Sequence, residues 1–198
     1  PIALTSLLAP ILGVAPAALM LLPLHVVLLE LLIDPTCSIV LERQPAETDI
    51  MTRRPRDPQA KLLNRRTLLK SIIQGLAVFA ASFGTYYAVL AADTANASIA
   101  RTMGLTIIML SNLFLVQVNS SDHDFAFQSI SRLVKDRVMR TVNIGTLLML
   151  AIILYTPLAH ILKLAPLTAG QLFGSAGIAA AAVLWYEIVK LFNQIRSK

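Results

Sequence analysis

Residues 23–42, PLHVVLLELLIDPTCSIVLE, form an apolar run long enough to cross a bilayer as one helix. Glu30 and Asp34 lie near its middle, and because they are four residues apart they share one face of that helix. Ionisable groups at bilayer depth are energetically expensive, so they normally face a protein interior or a wet cavity and mark the path of an ion or proton. The stretch therefore predicts a membrane helix with a functional acidic face.

Pro35 directly follows the second acid and has no N–H to donate to the carbonyl of Leu31. We expect the helix to kink or unwind there, and unpaired backbone at membrane depth is tolerated where it lines a cavity. Two carboxylates beside free carbonyls make an oxygen-rich cage that suits a hard cation. Two structural interpretations stay open: a proline kink that is only architectural, and acids that pair with Arg or Lys of a neighbouring helix.

The composition places the chain among polytopic membrane proteins. Of its 198 residues, 56% are hydrophobic and 14% charged, and this is more apolar surface than a soluble domain of that size can bury. The net charge of +6 does not indicate nucleic acid, because the basic residues lie in loops between apolar runs. The single cysteine, Cys37, excludes an internal disulfide and is expected to be a small packing residue. Because the chain starts inside an apolar run, without the features of a signal peptide, we expect it to be part of a longer polypeptide.

The apolar runs predict an all-α fold, a polytopic membrane helical bundle with five full transmembrane helices and one helix truncated at its N-terminus. The predicted helices are residues 1–16 (the truncated one), 23–42, 67–91, 102–118, 142–158 and 168–192. We divide the chain accordingly into the helices up to and including the acidic one (1–42), a polar loop (43–66) and the helices that follow (67–198).

The basic residues predict the orientation of this bundle. The side of the bundle that carries the polar loops 43–66 and 120–140 and the C-terminus holds every Lys and Arg except Arg101 and Lys163. Because cytoplasmic loops carry an excess of Lys and Arg, we expect both loops and the C-terminus to be cytoplasmic. Within the second loop, residues 125–139 have apolar side chains at helical spacing, which predicts a short surface helix.

Several other polar side chains lie within the predicted helices. Asn112 is deep in its helix and serves either as an interhelical hydrogen-bonding group or as a cation ligand. Thr5 either faces the same cavity as Glu30 or bonds back to its own helix. His25 and His160 lie near helix ends, where we expect no role beyond polarity at the membrane interface.

The acidic helix and the loop after it resemble the sixth membrane helix of P-type cation-transporting ATPases and the loop that follows it. The resemblance runs over residues 21–56, LLPLHVVLLELLIDPTCSIVLERQPAETDIMTRRPR. Asp34 matches the Asp that ends the ion-site motif of calcium and sodium/potassium pumps. DIMTRRPR, residues 49–56, matches the family pattern D-x-M-x-x-P-P-R, with Arg54 where the first Pro is usual. ELLIDP, residues 30–35, is similar to a group of bacterial pumps in the same superfamily.

The resemblance extends over essentially the whole chain, as the membrane region from late helix 5 to helix 10. VNIGTLLMLAIILYTPL, residues 142–158, resembles the ninth helix of these pumps, and EIVKLFN, residues 187–193, resembles the last. The sequence departs from calcium pumps at Glu30, where they carry Asn, and at Ile33, where they carry Thr.

This resemblance implies a set of roles. Glu30 and Asp34 would be cation ligands, Asn112 lies near the polar site of helix 8, and Thr5 falls about where calcium pumps place a helix-5 carboxylate. A calcium-like cation is the family-weighted expectation. The phosphorylation motif DKTG is absent, so ATP and Mg would be bound only by other domains of the parent pump. We therefore predict no catalytic or cofactor-binding residue in this chain, which alone would not hydrolyse ATP.

The leading hypothesis is the membrane transport-site and scaffold portion of an ATP-driven cation pump in the cell membrane. Its partners would be the lipid bilayer and the remaining domains of the pump, with no nucleic acid. Two alternatives stay open. One is a non-enzymatic membrane scaffold or interaction module whose buried acids only lock helices together, and the other is a small secondary cation or proton carrier that uses Glu30 and Asp34.

Overall fold

The computed structural model describes residues 2–42, 65–119 and 137–196, and helices dominate each of these segments. The helices are α1 (Ile2–Ile11), α2 (Pro23–Glu42), α3 (Arg65–Ala92), α4 (Ala97–Asn119), α5 (Arg137–Tyr155), the one-turn α6 (Leu158–Ile161) and α7 (Ala169–Arg196). The motif at residues 49–56 and most of the predicted surface helix at 125–139 lie outside the described residues.

The predicted all-α membrane bundle is confirmed, since the described segments contain no β-strand. Four of their helical stretches are long and apolar enough to cross a membrane, namely Pro23–Val40, Thr67–Ala92, Thr94–Asn119 and Ala169–Tyr186. The remaining predicted span corresponds to α5, whose apolar part, Arg140–Tyr155, is shorter than these four. The truncated first helix corresponds to α1, which is 10 residues long.

Helix α4 is the centre of the bundle. Within the span Thr94–Asn119, 72% of the residues are buried, against 17–22% in the other three spans. A helix that is apolar and buried on all sides must be surrounded by other elements, and α4 packs against α7, α3 and α2. The other long helices leave one apolar face open, as expected of helices that meet lipid.

Among the described residues, helix α2 packs against α4 and α5 along one side. Val40 packs there against Val116 and Val142, and the other buried residues of α2 are His25 and Leu29. Of the two effects expected at Pro35, a kink or unwinding, the unwinding does not occur, because α2 is helical without interruption on both sides of that residue. A long membrane helix tolerates the loss of one backbone hydrogen bond when its neighbouring turns stay paired.

Two helices end in the same Schellman motif. After α1, the N–H of Val14 donates to the carbonyl of Ala9 (3.0 Å), with Gly13 in the left-handed region at φ +71°. After α6, the N–H of Leu164 donates to the carbonyl of Ala159 (2.8 Å), with Lys163 in that region at φ +51°. Both motifs turn the chain sharply and satisfy the last helical carbonyls. They shape what we call the α1–α2 connection (residues 12–22) and the α6–α7 connection (residues 162–168).

Arg101, near the start of α4, holds these two connections together. Its Nε donates to the carbonyl of Leu19 (2.8 Å), and its Nη1 donates to the carbonyl of Lys163 (2.7 Å). The side chain is only 2% exposed. Charge-assisted hydrogen bonds of this kind are stronger than neutral ones, so a buried guanidinium fixes both connections against the central helix.

Three more buried side chains join Arg101, and we call the four residues the connector cluster: His25, Tyr86, Arg101 and Thr102. The hydroxyl of Tyr86 in α3 donates to the carbonyl of Ala18. The hydroxyl oxygen of Thr102 accepts the N–H of Ala165 (2.9 Å), and a ring nitrogen of His25 contacts the carbonyl of Leu162 at 2.6 Å. Since backbone groups in these connections cannot pair within a helix, buried side chains supply the partners that water would otherwise provide.

The left-handed conformation of Lys163 gives the first prediction. A Cβ atom in this conformation costs roughly 1 kcal/mol, which glycine avoids. Lys163→Gly should therefore unfold at a higher temperature than Lys163→Ala, which also loses the Lys side chain but keeps the Cβ atom. Thermal unfolding of the two purified variants in detergent measures the difference. The assignment of strain to this backbone is contradicted if the alanine variant is equally or more stable.

Candidate cation-binding site

Glu30 and Asp34 lie on one face of α2, one helical turn apart, as their spacing requires. Both residues are exposed on the described part of the bundle. The neighbouring positions on this side are apolar: Val27 is 63% exposed and Leu31 is 66% exposed. The acidic face is therefore a pair of carboxylates set in an apolar surface, directed away from the contact that α2 makes with α4 and α5.

Asn112 is a residue of α4 and lines a small cleft between α2, α4 and α5. The cleft is lined by Leu32, Ile33, Thr36, Cys37, Met109, Asn112, Leu113, Val116 and Thr146. The side-chain amide of Asn112 donates to the carbonyl of Ile108 in its own helix (3.0 Å), an arrangement the sequence did not indicate. An amide that uses its N–H group in this way keeps a carbonyl oxygen for another partner.

Two hydroxyl groups cross the same cleft. The Oγ1 atoms of Thr36 in α2 and Thr146 in α5 are 3.3 Å apart. Thr36 also donates to the carbonyl of Leu32 (2.7 Å), and Thr146 to that of Val142 (2.9 Å). A hydroxyl group has one proton, so the contact between the two threonines forms only when one of them gives up its own-helix bond. The cleft therefore offers a weak polar contact between α2 and α5 beside the acidic face.

Thr5 is almost fully buried in α1, on the same side as Ala9, and α1 packs against α3. Its neighbour Ser6 bonds back to the carbonyl of Ile2 (3.1 Å). The structure thus brings Glu30 and Asp34 to one face, and it places Asn112 at the cleft and Thr5 in a separate helix contact. Among the described residues, no group of three or more His, Cys, Asp or Glu side chains is placed to hold a metal ion.

Sequence reasoning missed the importance of His25 and Arg101. His25 was expected to supply only interface polarity, but it is fully buried and both of its ring nitrogens have partners. The sequence does hold a signal: Pro23 begins α2, and His25 follows at the position from which a side chain reaches back to the helix start. The position of Arg101 in the sequence also indicated a special role, because nearly all the other Lys and Arg residues lie in the polar loops and at the C-terminus.

Comparison with known families identifies the membrane region. A family model described as "Cation transporting ATPase, C-terminus" matches residues 18–192 of the chain. The chain belongs to this family. The match includes α2 with both acids, and it extends through α3, α4 and α5 into α7. A search of curated proteins gave no significant match.

Membership in the family of cation transporting ATPase C-termini confirms the family resemblance described above. The chain is a membrane part of a cation-transporting ATPase, and its apolar helices place it in a cellular membrane. The fold explains how such a region is built: α4 forms a buried centre, and the acid-bearing α2 lies at the edge of the described bundle.

The buried guanidinium of Arg101 gives the second prediction. Arg101→Met keeps the approximate length of the side chain but leaves the carbonyls of Leu19 and Lys163 without their charged donor. We expect a loss of roughly 3 kcal/mol in the free energy of unfolding, because both hydrogen bonds involve a charged group. Denaturant titration of the purified protein measures this loss.

The matched control for this experiment is Arg137→Met, at an exposed position at the start of α5. This variant should stay within about 0.5 kcal/mol of the original protein, as is usual for surface substitutions. An Arg101→Met variant as stable as the control would show that Arg101 does not hold the two connections.

Proposed function

We propose that this chain is the transport-site and scaffold portion of an ATP-driven cation pump, in which Glu30 and Asp34 coordinate the transported ion. The observation that carries the proposal is the acidic face of α2, where two carboxylates lie one turn apart on a membrane-spanning helix. The proposed division of labour follows: residues 1–42 contain the transport-site helices, and residues 67–198 contain the helices that support them.

The position of the acids supports this function for an energetic reason. Carboxylates that faced lipid would be costly, so in the membrane this face requires a protein partner, a water-filled path or a bound cation. The described helices cover the opposite side of α2 and leave the acidic face exposed. We therefore propose that further elements of the complete pump close over Glu30 and Asp34 and form the ion path with them.

The chemistry of the proposed ligands favours a hard cation. Carboxylate oxygens suit calcium, magnesium, manganese or sodium, whereas soft metals prefer thiolates, and Cys37 is the single cysteine of the chain. Calcium is the ion that we propose, on the strength of the family alone. The side-chain oxygen of Asn112, at the cleft between α2, α4 and α5, and the hydroxyl group of Thr5, buried in α1, are secondary candidates.

The coupling to ATP would come from other domains of the pump, which would bind ATP and Mg and undergo phosphorylation. Phosphorylation can drive transport only if it shifts two conformations that differ in cation affinity and access. We propose that α2 is the element through which that shift reaches Glu30 and Asp34. In this arrangement the basic loops at 43–66 and 120–140, together with the C-terminus, are cytoplasmic.

Neutralising the two acids tests the proposal. In the complete gene product, Asp34→Asn and Glu30→Gln should each raise the cation concentration for half-maximal ATPase activity by about tenfold or more, because each removes one charged ligand. The measurement is a cation titration of ATPase activity in purified membranes, performed with each candidate ion.

Glu42→Gln is the matched control, since Glu42 is an exposed acid at the far end of the same helix. This variant should keep the original cation dependence. If Asp34→Asn and Glu30→Gln also keep it, the acids are structural, and the chain acts in the pump as a scaffold only.

A further inference from the structure

The imidazole of His25 caps the start of the acid-bearing helix. Helix α2 begins at Pro23, so Leu22 is its N-cap residue and His25 is its third helical residue. The N–H of Leu22 donates to Nδ1 of His25 at 3.2 Å. This is the backward half of a capping box, in which Glu or Gln is usual at the third position. The side chain thus satisfies a backbone donor that the helix itself cannot pair.

The same ring connects α2 to the α6–α7 connection. Because Nδ1 accepts a hydrogen bond, the proton of the neutral imidazole resides on Nε2, which then donates to the carbonyl of Leu162 at 2.6 Å. Both ring nitrogens are therefore in use, and the ring is fully buried. A ring held at both nitrogens fixes the first turn of α2 relative to residue 162.

Arg101 makes a second bridge between the same two connections. It joins the carbonyl of Leu19, three residues before the N-cap of α2, to the carbonyl of Lys163, the neighbour of Leu162. The start of α2 is therefore held by two independent bridges, which end at the adjacent carbonyls of Leu162 and Lys163. Because hydrogen bonds are directional, they fix the position of α2 along its axis. Apolar contacts, such as those of Leu29, fix that position less sharply.

The acids lie within reach of this anchor. Glu30 is five residues after His25 on an uninterrupted helix, which corresponds to about 7.5 Å along the axis. Among the described residues, none covers the acidic face. The contacts on the opposite side of α2 therefore determine the position of the carboxylates along the helix axis and their rotation about it. Small displacements of ligands have large effects on binding and catalysis.

We propose that His25 is a positioning residue for cation binding: its bridge from the start of α2 to the carbonyl of Leu162 sets the height and rotation of Glu30 and Asp34. Arg101 supports the same placement through the second bridge. This inference rests on the proposed function, because it concerns the affinity of Glu30 and Asp34 for the cation. It gives His25, a buried residue outside the acidic face, a part in that affinity. Its effect would appear in cation affinity and not only in the yield of folded protein.

Two substitutions separate the bridge from the cap. The amide of Gln reaches toward the position of Nε2, so His25→Gln can still donate to Leu162. The shorter Asn places its oxygen near the position of Nδ1, so His25→Asn can cap the helix but cannot reach Leu162. Tyr155→Phe is the control. It removes a hydrogen bond to the carbonyl of Leu167 (3.0 Å), in the same connection, without touching α2.

The experiment is a cation titration of ATPase activity in the complete gene product, with calcium as the first ion. We expect His25→Asn to raise the half-maximal cation concentration on the order of tenfold, with maximal turnover within about twofold of the original. His25→Gln should restore most of the affinity, and Tyr155→Phe should leave it unchanged. Hydrogen exchange of the backbone amides of residues 25 and 26, which donate to the carbonyl of Leu22, should increase in the Asn variant alone.

The outcomes distinguish this inference from the proposed function. If the original protein is cation-dependent and His25→Asn has the same half-maximal concentration, His25 only stabilises the fold and the inference is overturned. An effect of equal size in Tyr155→Phe would overturn it as well, since the connection would then act without the bridge. If the original protein shows no cation-dependent turnover with any candidate ion, the proposed function fails, and this inference fails with it.

Discussion

The buried guanidinium of Arg101 is the constraint around which one end of this bundle is arranged. It donates to a carbonyl on each of two connections that are far apart in the sequence, at 2.8 and 2.7 Å. In a membrane, irregular backbone needs partners from the protein, because no water is available in the hydrocarbon region. Arg101, with Tyr86 and Thr102, supplies those partners from α3 and α4. The two connections, whose buried backbone groups are paired through these side chains, therefore stabilise each other.

This arrangement gives α2 two different sides. One side is fixed by the imidazole of His25 and by apolar packing against α4 and α5, and the other presents Glu30 and Asp34. The proposed role of α2 in transport requires both properties, since cation ligands must be held in place and must also be accessible to an ion in at least one conformation. The family match extends over both sides, so the anchor and the acids belong to the same membrane unit of a cation-transporting ATPase.

The sequence predicted the helices and the acidic face because both depend on local properties. Apolar runs of spanning length determine the helices, and the four-residue spacing of Glu30 and Asp34 places them together in any helical arrangement. It left open whether α2 kinks or unwinds at Pro35, because the packing of neighbouring turns decides whether a proline interrupts a helix. Nor did it predict the burial of His25, whose partner at Leu162 is 137 positions away in the sequence. Such contacts depend on tertiary structure, and only the position of His25 after Pro23 indicated a local role.

A structure of the complete gene product, determined by electron cryo-microscopy with the stimulating cation present, would test this account most directly. If Glu30 and Asp34 coordinate the transported ion, the map should contain density for an ion in contact with carboxylate oxygens of both residues, at about 2.3–2.6 Å for calcium. The ring of His25 should contact the carbonyl of Leu162 in the same map. The account would be contradicted by carboxylates that face acyl chains, or that pair with a basic side chain, with no ion between them.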